Sequence, residues 1–146
     1  MYRGILDLHS YWAFAVLVLL LLAAANAFLG LSAKRAFLSK DRQIALIALI
    51  FTHLQFVFGL ILLFVSPYME TAKQLGMGGV MKNAELRKMV VEHPTINLIA
   101  IILITVGWSS HKRAADSSVK FKKIGIFYII GLILLLSRIP WSQWLS

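Results

Sequence analysis

The chain has 146 residues, no cysteine, 60% hydrophobic residues, only 14% charged ones, a mean hydropathy of +0.80 and a net charge of +9. A soluble globular domain carries about a quarter charged residues, so this composition excludes one and predicts a membrane protein. Without cysteine there is no disulfide framework, thiolate metal centre, thiol nucleophile or covalent haem attachment, which leaves histidine as the obvious metal-binding side chain.

Four uncharged apolar runs, at about 11–33, 44–66, 93–110 and 124–140, are each long enough to cross a bilayer, with Arg138 alone near the end of the last. A helix rises about 1.5 Å per residue, so about 20 residues span the hydrocarbon core. The expected fold is all-α, one integral membrane domain over 1–146 built as a four-transmembrane-helix bundle. The first run resembles a signal peptide in its Leu17 to Leu22 stretch and Ala25-Asn26-Ala27, but its weakly charged start favours a retained span. Nine of the fifteen basic residues fall between runs 1 and 2 or between runs 3 and 4. Less Asp41 and Asp116 this side carries +7, against +2 on the other, so the positive-inside rule puts both termini on the outer, periplasmic side of a bacterial inner membrane. The split basic loops, without interleaved aromatics, read as topology and anionic lipid contact; nucleic acid is not an expected partner. The only long connection is the outer loop 67–92, where Gly76, Gly78 and Gly79 interrupt any long helix and Ala84 to Glu92 leads into the third span.

Polar side chains at membrane depth are expensive, which makes each one a candidate for function. His9 opens span 1 and His93 opens span 3, both at the outer face, while His53 is placed mid-membrane in span 2 and His111 at the inner end of span 3. Two neutral imidazoles at equal depth on different helices can supply both axial ligands of a haem. His93, Asn97, Ala100, Ile104, Gly107 and His111 follow a 4-3-4-3-4 spacing, which predicts one small and polar stripe facing the bundle interior. On span 4, Tyr128, Gly131, Leu135 and Arg138 form a second stripe that carries a guanidinium towards the histidine pair, where haem propionates need a cation. Trp12, Trp141 and Trp144 belong to the same boundary. Each feature also has a plain reading: imidazole and indole rings settle at interfaces, Arg138 snorkels to headgroups, and His111 is an ordinary interfacial residue. For His53, beside Thr52 and Gln55, three roles stay open: a hydrogen bond across the bundle, contact with a quinone head group, or replacement of one of the two favoured ligands. Motifs for hydrolysis and phosphoryl transfer are absent, and the spans hold no Asp or Glu for proton transfer.

Leu-Asp-Leu-His-Ser-Tyr-Trp at the first helix, His-Leu-Gln-Phe-Val-Phe-Gly in the second and Leu-Arg-Lys-Met-Val-Val-Glu-His-Pro before the third resemble one half of the haem A synthase family. They are also similar to short bacterial four-helix membrane proteins labelled cytochrome B-like. The resemblance implies that His9 and His93 are axial ligands and that Gln55 and Gly59 sit on the helix between them. Ser10 stands where the family carries Arg, and the acidic residue appears only as Asp7; with half of the synthase's bundle, haem modification does not carry over, and haem binding does. The expectation is a non-covalent b-type haem and iron held by His9 and His93, with Arg138, Asn97, Trp12, His53 and Gln55 around the cofactor. Its role would be electron transport, alone or as a small subunit among other membrane subunits of a respiratory chain complex, and not as an enzyme on its own. The competing expectations are a cofactor-free accessory subunit and a quinone-binding protein using His53 and Gln55.

Overall fold

The computed structural model describes residues 1–144, and among them every regular element is a helix. In chain order these are α1 (Tyr2–Ser32), α2 (Ser39–Val65), α3 (Pro67–Lys82), α4 (Ala84–Arg87), a π-helical turn (Lys88–Glu92), α5 (His93–Arg113), α6 (Ser117–Ser137) and α7 (Trp141–Trp144). Three stretches are long and apolar enough to cross a membrane: α1, α2 and the run Ala84–Arg113 that ends with α5. Helix α6 begins with Lys120, Lys122 and Lys123 before its apolar part starts at Ile124, and it packs along both α1 and α5. Helix α1 begins at Tyr2 rather than near Tyr11, so His9 stands about two turns inside it.

Lipid gives helices no hydrophobic reason to associate, so close contact and internal hydrogen bonds must do it. Gly107 on α5 shows the first device: a Cβ there would stand 2.5 Å from the Phe127 Cβ and 3.0 Å from the Lys123 carbonyl oxygen. Only hydrogen lets α6 come this near. The second device is a set of side chains that donate to a neighbouring helix's carbonyl. The buried Tyr128 hydroxyl donates to Ala45 O at 2.8 Å, tying α6 to α2, and Trp12 Nε1 donates to Phe51 O at 2.9 Å, tying α1 to α2. At one end of the bundle Asp41, 4% exposed, accepts from Asn26 Nδ2, Arg35 Nη1 and the Leu38 amide at 2.8 to 2.9 Å. A buried carboxylate is tolerable only when paired in this way.

The segment 67–92 is largely helical, with its expected interruption. Ser66 caps α3 by accepting from the Tyr68 amide, and Pro67 begins the helix. Gly76 breaks it at φ 73°, ψ 171°, a conformation that glycine reaches without strain. Pro94 has no N–H for the Val90 carbonyl, and its ring would collide with that oxygen in a regular α-helix. The chain widens instead into the π-helical turn, where the His93 amide reaches back to Lys88 O. Gly107→Val should lower the unfolding free energy by about 1–3 kcal/mol, as overpacking does. Gly4→Ala, which meets nothing within 4 Å, should raise it by about 0.5–1 kcal/mol; reversible denaturation in detergent measures both.

Candidate functional site

Where α1, α2 and α5 meet at the end of the bundle that carries α3 and α7, they enclose a cavity of about 800 Å³. That volume lies in the usual range for cofactor and small-molecule sites. Apolar walls from Leu17, Leu60, Leu63 and Leu135 surround four polar side chains: His9 from α1, Gln55 from α2, and His93 and Asn97 from α5. The α5 stripe faces inward as its spacing predicts: Ala100, Ile104, Gly107 and His111 are buried below His93 and Asn97.

The two imidazoles expected to pair are brought together, with ring centroids 6.3 Å apart and planes at 86°. The surroundings of His93 define its tautomer. Nδ1 lies 2.9 Å from Arg138 O, which can only accept, so Nδ1 carries the proton. Nε2 keeps its lone pair and accepts from Asn97 Nδ2 at 3.2 Å. A backbone carbonyl on one ring nitrogen that leaves the other free for a metal is the usual setting of a ligating histidine. Nδ1 of the His9 ring is fully buried and has no hydrogen-bond partner among the described residues. Gln55 donates Nε2 to the His9 carbonyl at 2.9 Å, which pins the backbone that carries this ring. Gly59 completes the seat, since a Cβ there would come within 3.1 Å of His9 Cε1. Among the described residues three buried side-chain polar atoms lack partners: His9 Nδ1, Gln55 Oε1 and Asn97 Oδ1. All belong to residues that line this cavity, whereas buried polar groups elsewhere in proteins are almost always hydrogen-bonded.

Other expected site residues lie elsewhere. Trp12 stacks on Phe51 at 4.4 Å and meets Phe58 edge-on, so it serves the α1–α2 contact and not the cavity lining. Helix α6 stops at Ser137, so Arg138 leaves the Tyr128 stripe. It offers His93 its carbonyl, while its guanidinium, 47% exposed, pairs with Glu92 at 3.3 Å. His53, expected to be buried mid-membrane, is exposed on the outer side of α2. There Nδ1 donates to Leu49 O, and Nε2 lies 3.1 Å from Oγ1 of Thr105 on α5, whose hydroxyl also reaches Ile101 O at 2.7 Å. Of the three roles left open for it, the hydrogen bond between helices is the one observed, and His53 does not line the cavity. His111, expected at the interface, is 1% exposed between Phe37 and Trp108. Sequence reading missed Arg3, whose place on the cavity rim follows only from the early start of α1. Also on the rim, Tyr68 donates its hydroxyl to Glu85 Oε1 at 3.3 Å. Burial, then the Glu85 charge, raises the Tyr68 pKa and keeps it a donor. Trp144 closes on Phe14 at 4.4 Å beside the cavity.

Among the described residues no group of three or more His, Cys, Asp or Glu side chains could hold a bare metal ion. A pair of histidines suits a metal whose remaining ligands arrive with it. No protein family, curated protein or solved structure matches the chain. The hydrogen bonds around His93 require the Nδ1–H tautomer in protein free of any cofactor. Nitrogen-15 NMR of histidine-labelled protein should show it, and an Nε2–H ring at this position would contradict the geometry.

Proposed function

We propose that the chain is a b-type haem-binding protein of a bacterial inner membrane, a four-span bundle with both termini on the outer side, in which His9 and His93 are the axial ligands. The observation that carries this reading is the pairing of two imidazoles, from α1 and α5, in the lining of a cofactor-sized cavity. Metal–nitrogen bonds of about 2 Å on each side, with about 1 Å from each nitrogen to its ring centre, put two axial imidazole centroids about 6 Å apart. The 6.3 Å separation of His9 and His93 fits that span. The unpartnered His9 Nδ1, the proton held on His93 Nδ1 and the orphaned Gln55 and Asn97 oxygens fit the same group. The short motifs shared with one half of haem A synthase point in the same direction.

Bound there, a haem with both axial positions filled would supply reversible one-electron chemistry and leave no open site for oxygen. The protein's own residues would then do the rest. Gln55 and Gly59 would hold His9 in place, Arg138 O would hold His93, and Asn97 stands beside its Nε2. Arg3 on the rim is the cation within the cavity lining for a propionate, since Arg138 is engaged by Glu92. Electron transfer, alone or as a small subunit of a respiratory complex, is the activity such a site serves.

Two measurements test the reading. Full-length protein purified with haem should show the reduced α-band of a b cytochrome, and His9→Ala or His93→Ala should abolish it, whereas His53→Leu should leave it intact. A colourless, folded preparation that takes up no added haem overturns the proposal in favour of a cofactor-free subunit. Because the chain has no cysteine, single-cysteine labelling reads the topology cleanly. In intact cells a membrane-impermeant maleimide should reach Met77→Cys and should reach Lys34→Cys only after permeabilisation.

A further inference from the structure

The opposite end of the bundle has a second cavity, of about 280 Å³, between the start of α2 and the α5–α6 connection. Ser39, Arg42, His111, Lys112 and Lys120 line it, and no carboxylate does. Arg42 and Lys112, from different helices, both stand over the buried Trp108 ring, at 5.1 and 5.9 Å from its centroid. Lys120 donates to His111 O at 3.0 Å and lies 5.9 Å from the Phe37 ring. The nearby buried carboxylate, Asp41, is already taken by Arg35, Asn26 and the Leu38 amide. Among the described residues Arg42, Lys112 and Lys120 therefore form no ion pair. Holding like charges around one aromatic ring costs electrostatic energy that a bound anion would recover.

The cavity also opens in a suitable direction. Arg42 and His53 are eleven residues apart, and Thr105 and Lys112 seven, so each pair shares one face of its helix. The seam between α2 and α5 accordingly leads from the basic cavity to the His53–Thr105 hydrogen bond. It is flanked by the exposed apolar side chains Ile50 and Val106. We infer that this cavity is a binding site for the phosphate of an anionic phospholipid, with Arg42, Lys112 and Lys120 on the headgroup, the Ser39 hydroxyl as a further donor, and an acyl chain along the α2–α5 seam. A free phosphate would satisfy the same cations but would have no use for the apolar seam.

Native mass spectrometry of the full chain, released from nanodiscs of phosphatidylcholine with a minor fraction of phosphatidylglycerol, tests the assignment. Wild-type protein should retain one phosphatidylglycerol. Arg42→Gln with Lys112→Gln should weaken retention about 30-fold, the worth of two basic residues at a membrane surface. Lys34→Gln with Lys40→Gln, which removes the same charge from the same end but outside the cavity, should retain it. The swap Arg42→Lys with Lys112→Arg should retain it as well, and its retention separates the site from a folding defect. Equal loss in both glutamine pairs, or no retention by wild type, overturns the proposal. Protection against thermal unfolding by inorganic phosphate in pure phosphatidylcholine, without phosphatidylglycerol retention, overturns it too, because the ligand would then be a free anion.

Discussion

Backbone and side-chain polar groups in a hydrocarbon layer find no water, so each must be satisfied within the protein. This constraint organises the bundle. Tyr128 spends its hydroxyl on Ala45 O, Trp12 its indole N–H on Phe51 O, Thr52 its hydroxyl on Ala48 O and His53 its ring on Leu49 O and Thr105. The bonds of Tyr128 and Trp12 and the His53–Thr105 contact cross-link helices whose apolar faces lipid would solvate equally well. Against such thorough pairing, three orphaned polar atoms around a single cavity are a departure. Departures of this kind concentrate where a protein expects a ligand.

The bundle's two ends solve the problem of charge differently. At the cavity end Glu92 joins Arg87 and Arg138, and Glu85 receives Tyr68 and Gln143, so charges pair among themselves around a nearly neutral histidine site. At the basic end Asp41 is enclosed in hydrogen bonds, and Arg42, Lys112 and Lys120 stand by aromatic rings.

Much of the site was legible because helical spacing is a short-range property. The inward stripe from His93 to His111 and the common depth of His9 and His93 follow from counting residues along a helix of known period, and the break at Gly76 from the cost of glycine in a helix, whereas Gln55 and Gly59 came from the family resemblance alone. Trp12 and His53 were not legible for the opposite reason. In a helix apolar on every side, neither pattern nor moment tells which face meets lipid and which meets protein, so the rotation of α1 and α2 stayed undetermined. His53 lies one residue from the buried Thr52, and one residue turns about 100° around the helix, enough to point it outward. Arg138 was displaced by a different cause: α6 ends one residue before it, and the role towards His93 passed from its guanidinium to its carbonyl.

From the sequence by itself came the class of the molecule: apolar helices long enough to cross a membrane, the asymmetry of basic loops, and histidine as the available metal-binding chemistry. Composition and spacing determine these because they depend on single residues and their local period. Only the tertiary structure decided that His9 and His93 face each other, that Gly59 makes room for the ring, and that Arg3 rather than Arg138 reaches the cavity rim. It likewise decided that Arg42 and Lys112 converge on one indole. Each of these depends on how helices are rotated and how closely they approach, and in lipid that is set by glycine contacts and scattered hydrogen bonds between residues far apart in the chain.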